Sequence, residues 1–368
     1  MKLKIVIFLT NVLNYIFLPF AKLRKKKGTV LHISYMVHIP YYTVKILREN
    51  GIKADYLAID EPGKWKADYN FKQSYGHLSA KERLREFIFF WKVVSRYDIL
   101  HSHFMMTLST YGWEMKFFKL LGGKWVVHGR GCAERERELN MQLHPTMNIC
   151  QSCDYNARIC KDPVNVFRRK LSKEKADHYF VTTPDMKDFV PMAEHMPFFF
   201  PPISLPEVPE KKDGIFRILH VTNHPGIEGT QYIKEAIDNL IKKGYKIDFV
   251  HLKDMDNDTV LEYYKTAHLS IGKMKMGYYA NAQIESLYFG VPAITYIRKE
   301  FVTPEIQNSG LILSDLANLE ETIKYYIDHP AALKIKTDLA QPSVLKLHNN
   351  KNLALRYKQV YDQLLAKN

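Results

Sequence analysis

From residue 29 onward the chain alternates short apolar runs of strand type with amphipathic runs of helical period, and it does so in two series. In the first, residues 29–34 read as a buried strand, 41–49 as a helix stopped by Gly51, and 54–59 as a second strand, a βαβ opening. Helical spacing returns at 81–95, strand character at 98–101, then helix at 113–121 and strand at 124–128. After an interruption at 132–163 the rhythm resumes with a helix at 166–176 and a strand at 178–182. Residues 196–214 contain Pro197, Pro201, Pro202, Pro206 and Pro209, which suit a linker better than a helix or a central strand. The second series follows: strands at 216–221, 246–251, 269–271 and 292–296, helices at 230–243, 260–267 and 280–289, and an amphipathic helix at 351–365. Such alternation predicts an α/β chain of two Rossmann-like, doubly wound domains with a cleft between them.

The expected division is an apolar and basic segment at 1–28 and a first domain at 29–205, with a cysteine-containing insertion at 132–163. A second domain follows at 214–345, and a C-terminal helix at 346–368 packs back on the first. A length of 368 residues agrees with two cores rather than one. No segment is low in complexity, and no repeat of solenoid or propeller period is present.

Charge and cysteine usage narrow the function. The formal net charge is +14, from 53 Lys and Arg against 39 Asp and Glu. That balance suits an anionic partner, such as a phosphorylated substrate or an acidic membrane, and equally a solvated lysine-rich surface. Nucleic acid is not expected, because no helix-turn-helix, RNA-recognition or repeated zinc-finger spacing occurs. The four cysteines, Cys132, Cys150, Cys153 and Cys160, are clustered, which suits a reduced compartment with one local site. Cys150-Gln151-Ser152-Cys153 makes half of a zinc knuckle, with Cys132 and Cys160 as further thiolates. Buried free thiols or a disulfide would account for the same residues.

Residues 5–21 are apolar and are followed by Lys22, Arg24, Lys25, Lys26 and Lys27, with no small-residue cleavage site. Thr10, Asn11 and Asn14 interrupt the stretch and would share one face of a helix. A helix lying in the membrane interface, its basic run on anionic headgroups, is the reading taken. A first strand at 4–9 is the alternative. The expected location is the cytoplasm, peripheral on the inner membrane face.

The strongest local signal for chemistry runs from Gly272 to Pro292: strand, glycine-containing loop, helix, then Gly290-Val291-Pro292 entering the next strand. A loop of this kind offers backbone N–H groups at a helix N-terminus, suited to a diphosphate. Lys273 and Lys275 add positive charge, and Glu285 along the helix could accept both hydroxyls of a ribose or be a surface glutamate. In the first series His101, His103 and His128 fall at or just past strand C-terminal ends, where such sheets hold ligands, and Arg130 follows.

In the second half the sequence resembles the GT-B-fold glycosyltransferases, in the large retaining, nucleotide-sugar-dependent group. Glu228-Gly229-Thr230, then Ile233-Lys234-Glu235-Ala236, is similar to the family's Lys-Gly-Thr helix start. Tyr263-Tyr264-Lys265-Thr266-Ala267-His268 is similar to its Tyr-x-x-Ala-Asp segment. Ile284-Glu285-Ser286-Leu287-Tyr288-Phe289-Gly290-Val291-Pro292 resembles its Glu-Ala-Met-Ala-x-Gly-x-Pro-Val signature. In the first half Val126-Val127-His128-Gly129-Arg130-Gly131 resembles the strand and His-Gly loop that faces the transferred sugar.

The resemblance implies a retaining hexosyl-type transferase with a UDP- or GDP-sugar donor and a lipid-linked or glycan acceptor, working in cell-surface polysaccharide synthesis without a catalytic metal. It implies His128 and Arg130 as catalytic residues, and Glu285, Gly277, Tyr278, Lys273, Lys275 and Asn223 as the donor site. Two departures stand out. The family's first glutamate falls at Gly277, and its phosphate-binding lysine falls at Glu228, a reversal of charge. The alternative they favour is a GT-B-shaped subunit that binds a sugar or nucleotide without turnover. Otherwise, Lys253, Lys273, Lys275 or backbone amides must neutralise the diphosphate.

Overall fold

The computed structural model describes residues 2–22, 30–35, 37–59, 63, 65–73, 78–197, 199, 206–207 and 214–366. Most of the proline-rich stretch at 196–214 and the basic residues Arg24, Lys25, Lys26 and Lys27 lie outside the described residues.

Each series of strands forms its own parallel sheet. The first contains β1 (Val30–Ser34), β2 (Ala54–Ala58), β3 (Tyr69–Asn70), β4 (Ile99–His103), β5 (Lys124–Gly129), β6 (His178–Val181) and β7 (Glu194–His195), in the order β3-β2-β1-β4-β5-β6-β7. The second contains β8 (Phe216–Val221), β9 (Ile247–Leu252), β10 (Leu269–Ile271), β11 (Ala293–Thr295) and β12 (Leu311–Leu313), in the order β12-β11-β10-β8-β9. Both are doubly wound. The direction of winding reverses between β1 and β4 in one sheet and between β8 and β10 in the other. Open α/β sheets bind ligands at such reversals, outside the strand C-terminal ends.

β1 and β4 are buried along their whole length because helices cover both faces of the sheet, even though His32, Ser34, His101, Ser102 and His103 are polar. The helix Ala80–Lys92 starts from a capping box: Glu82 N donates to Ser79 Oγ (3.2 Å) and Ser79 N to Glu82 Oε2 (2.6 Å). One face of the first sheet is covered by this helix and by Trp113–Leu120. The other is covered by His38–Glu49 and the C-terminal helix Asn350–Ala366, whose Ala354, Tyr357, Val360, Tyr361 and Leu364 enter the core beside Val30, Val44 and Tyr56. Arg356 fastens that helix to β7, its Nε and Nη2 donating to the two oxygens of Glu194 at 2.6 and 2.7 Å.

The N-terminal segment is a helix, Lys2–Lys22, not a strand. Its polar face turns to the domain, with Thr10 and Asn14 buried and Asn11 at the edge. Arg83 Nε donates to Thr10 Oγ1 (3.0 Å), Arg83 Nη2 to Asn11 Oδ1 (3.0 Å), and Trp91 Nε1 to Asn14 Oδ1 (2.8 Å). The Arg83 guanidinium also stacks 3.6 Å above the Trp113 ring. The polar residues thus bind the helix to the domain and leave its apolar face outward: Phe8 is 67% exposed, Phe20 64% and Ile16 53%.

Candidate functional site

The strand ends of the first sheet bring four histidines onto one face. In the parallel registers His32 of β1 lies opposite His101 of β4, and His103 of β4 opposite His128 of β5. Their rings stack at centroid distances of 4.5 Å (His32–His101), 4.9 Å (His101–His103) and 5.8 Å (His103–His128). All four are fully buried.

The hydrogen bonds assign their protons. Arg130 Nε donates to His103 Nδ1 (3.2 Å), so His103 carries its proton on Nε2 and donates to His32 Nδ1 (2.9 Å). His32 Nε2 then donates to Tyr361 Oη (3.4 Å), and Tyr361 Oη donates to His101 Nδ1 (2.6 Å). His128 Nδ1 accepts from Tyr357 Oη (2.9 Å) and from Arg130 Nη2 (3.2 Å). Burial, with the Arg130 charge added, pushes His32 down to about 3. Burial chiefly holds His101, His103 and His128 well below the usual histidine range. Burial also brings Arg130 down to about 10, which leaves it charged at neutral pH.

His32, His101 and His103 place three ring nitrogens within 4.8 Å of one another, the closest approach to a metal-ligand set among the described residues. The Arg130 guanidinium on His103 and the bond from His103 to His32 use those nitrogens for other partners, so we read the trio as a neutral structural network. His128 and Arg130 belong to this network and are buried beneath the cleft, not on an open wall of it.

In the second domain, residues 272–280 lead from β10 to the helix Asn281–Tyr288. Gln283 Oε1 caps that helix by accepting from Ala280 N (3.0 Å). A Cβ at Gly272 would lie 2.5 Å from Gln283 Nε2, so any larger residue there would have to displace that amide. Gly277 has φ +85°, and a Cβ would press to 2.8 Å from Arg298 Cγ.

The two lysines of this loop are already partnered. Lys273 pairs with the buried Glu228, so the reversed charge at 228 is answered from 273. Lys275 is buried and donates to Ser152 Oγ of the first domain (3.1 Å). Asn223 Oδ1 accepts from Asp254 N (2.9 Å), and Lys253 is exposed. Tyr278 is buried, stacked on Tyr279 at 4.5 Å and edge-on to His195 of β7 at 5.4 Å.

Glu285 differs from all of these. It is half-buried, takes part in no hydrogen bond or ion pair, and is pushed up to about 7 by desolvation. A carboxylate in that state lacks hydrogen-bond donors, and ribose hydroxyls would supply them.

Arg298 was not singled out by any sequence motif. It follows β11 and binds Asp188 of the first domain through Nη1 (2.6 Å) and Nη2 (3.2 Å). Burial alone would raise Asp188, and the hydrogen bonds from Arg298 and His144 bring it below the usual carboxylate range. Its only sequence signal is a lone basic residue just past the Gly-Val-Pro strand. The four cysteines are all free thiols and line a single cavity.

No family model matches the sequence, and no curated protein matches it. Solved structures do. Sucrose-phosphate synthase from Thermosynechococcus elongatus superposes with a TM-score of 0.61 over 93% of this chain and 100% of that one, at 16% identity. The Anabaena protein HepE, solved with UDP-glucose, gives 0.58 over 91% and 99%, at 10% identity. UDP-GlcNAc 2-epimerase from Neisseria meningitidis, solved with UDP-GlcNAc, gives 0.51 over 92% and 100%, at 13% identity. The chain has the GT-B fold. Within the GT-B fold, β1 to β7 with the C-terminal helix form one half, and β8 to β12 the other. Arg298, against which Gly277 packs, reaches Asp188 from the second half, and Glu285 lies on that half's helix Asn281–Tyr288.

Proposed function

We propose that the chain is a retaining glycosyltransferase that moves a hexosyl group from a UDP- or GDP-sugar to a lipid-linked or glycan acceptor, in cell-surface polysaccharide synthesis. The observation that carries this reading is Glu285: an unpaired, desolvated carboxylate on the helix after a glycine loop, past the winding reversal of the second sheet. Retaining transfer of this kind asks for a stabilised leaving diphosphate and an acceptor held on the same face, and needs no resident metal.

The outward apolar face of the helix Lys2–Lys22 supports a seat on the inner membrane surface. That helix is long and apolar enough by composition to cross a bilayer, but its polar side is bonded along the helix Ala80–Lys92. A helix fixed to the domain in this way is suited to lying in the interface with its apolar side in the lipid.

A second reading is favoured by Lys273 and Lys275, both spent on other partners: a GT-B-shaped subunit that binds a nucleotide sugar without turnover. The test is incubation of the full chain with UDP- and GDP-hexoses, with and without a lipid-linked acceptor. We expect nucleoside diphosphate release that depends on the acceptor, and a product with the donor's anomeric configuration by NMR. Binding without release would favour the second reading, and inversion at the anomeric carbon would remove the retaining assignment.

A further inference from the structure

The insertion between β5 and β6 holds a feature that neither the fold nor the donor site uses. Residues 144–162 contain neither helix nor strand. Long stretches of that kind in a compact domain are kept only where something ties them down. Two residues with β-carbons, Asn156 (φ 52°) and Ala157 (φ 60°), adopt the left-handed conformation in succession. Each such residue costs on the order of 1 kcal/mol unless its surroundings hold it.

All four cysteines converge on this loop. Cys132 comes from the turn after β5, Cys150 and Cys153 from the Cys-x-x-Cys, and Cys160 from the far side of the strained pair. Together with Ile149, Tyr155 and Ile227 they line one cavity of about 10 Å³, room for a single water or ion. The site already shows support of the kind thiolates need. Asn140 Nδ2 donates to Cys150 Sγ (3.2 Å), and Arg137 Nη1 fixes the Cys150 carbonyl (2.6 Å). Asn148 Oδ1 accepts from the backbone N–H groups of Cys150 and Gln151 (2.8 and 3.0 Å). The Arg135 guanidinium lies on the cavity wall, a charge of the sign that favours thiolates, and is itself anchored on Asp185.

The same loop grips the second domain. Asp154 accepts from Gly226 N through Oδ1 (3.1 Å) and from Ile227 N through Oδ2 (3.0 Å). Tyr155 Oη meets His224 Nε2 (2.5 Å), and Ser152 Oγ accepts from Lys275. Gly226 is what admits the loop, since a Cβ there would collide with the Ser152 carbonyl oxygen. Every one of these contacts is made by a residue within two positions of Cys153.

We propose that Cys132, Cys150, Cys153 and Cys160 bind one thiophilic divalent ion of the zinc class, and that this ion shapes residues 150–160 into a clasp holding the second domain against the first. No three of the sulfurs lie within 4.8 Å of one another in this structure, so an ion would have to draw them in, and four thiolates on it would leave no position for a reacting water, making a closed structural site rather than a catalytic one. Zinc bound at about 2.3 Å from each sulfur draws the four to about 3.8 Å from one another, so it tightens the loop about the cavity. Four side chains fixed by one ion would hold both the left-handed pair and the residues at 152–155 that reach across the cleft. The inference does not depend on sugar transfer.

The full chain, purified without chelator, is expected to contain about one zinc per chain. Titration with an organomercurial should release that zinc as four thiols react. Metal-free protein with four readily reactive thiols, or iron in place of zinc, would overturn the site. Exchange with cobalt gives a second readout on intact protein, the visible bands of tetrahedral thiolate cobalt, and their absence counts against four-sulfur ligation. Asp154→Ala and Gly226→Ala leave all four ligands in place. Both should retain the metal yet show a larger radius of gyration by small-angle scattering, and chelated parent protein should expand in the same way. Scattering unchanged in both variants and after chelation would sink the clasp.

Discussion

The two winding reversals follow one topological rule and are filled differently. Between β1 and β4 the space is filled by the chain itself: His32, His101 and His103 stack there, and Tyr357 and Tyr361 close over them from the C-terminal helix. Between β8 and β10 a single histidine, His220, is locked by Ile271 O (2.8 Å) and Thr230 Oγ1 (2.7 Å). On the helix that follows β10, Glu285 is left without a partner. The first reversal is filled by the chain's own rings, with His101 Nε2 and His128 Nε2 left without partners inside the stack. An unpaired, desolvated carboxylate on the helix that follows β10 is what the proposed ligand site rests on. The difference teaches that topology names where a site can be, and that equivalent places are told apart by whether the chain's own side chains fill them.

If the first reversal is structural, acid should attack it first. An unfolded histidine takes up its proton near pH 6.5, whereas His32 holds off to about 3 and its neighbours also resist protonation when folded. As pH falls below 6.5 the unfolded state therefore binds more protons and stability drops, by up to about 1.4 kcal/mol per pH unit for each buried histidine. Above pH 7 these groups contribute no slope. Glu86 and Glu134, pushed up to about 7 by burial, oppose the trend between pH 7 and 4.5, because the folded state protonates them first. With four buried histidines in the first stack against His220 and the part-buried His251 in the second, hydrogen exchange at pH 5 should show the first sheet opening before the second. The reverse order would break the contrast.

Removing a ring from the filled reversal should come next in size. Tyr357→Ala takes a fully buried aromatic from between His128, Phe180 and Phe199, and should cost about 3–5 kcal/mol in denaturant unfolding. A loss below about 1 kcal/mol would mean that the C-terminal helix is not needed there.

The N-terminal helix carries the same contrast on its two sides. Asn14→Leu makes it more apolar, yet strips the Trp91 indole of its acceptor and should cost about 1–3 kcal/mol. Phe8→Glu on the outward side should change stability by no more than about 0.5 kcal/mol and abolish binding to anionic vesicles. Unchanged vesicle binding would exclude the proposed seat.

Much of this was legible in the sequence, and the illegible parts share a cause. The long strands and the amphipathic helices were readable because each carries its own period. β3, β7 and β12, at two or three residues, are too short to show one. The helices Leu319–Asp328 and Pro330–Leu347 were not readable either, the second carrying Pro342 inside it. Glu285 could be singled out because a contiguous motif surrounds it. The fates of Lys273 and Lys275 were hidden because their partners, Glu228 and Ser152, lie 45 and 123 residues away. Asp188 is 110 residues from Arg298, and Tyr357 is 229 from His128, which sequence placed on the cleft wall and the structure places under it. The N-terminal helix showed which of its residues share a face, but the direction of that face was set by Arg83 and Trp91, more than 70 positions on.

The measurement that bears hardest on the contrast is calorimetric titration of UDP and GDP into the parent chain, Glu285→Ala and Glu285→Gln, each paired with a thermal melt. Two charge-assisted hydrogen bonds at roughly 1.5–3 kcal/mol each predict at least about a tenfold loss of affinity in Glu285→Ala. The melting temperature should not fall, since Glu285 supports nothing in the fold. With the carboxyl pushed up to about 7, parent affinity should also weaken more between pH 8 and pH 6 than that of Glu285→Gln. Nucleotide binding that is undiminished in Glu285→Ala, or a loss of stability as large as that of Tyr357→Ala, would contradict the assignment of the second reversal as the ligand site.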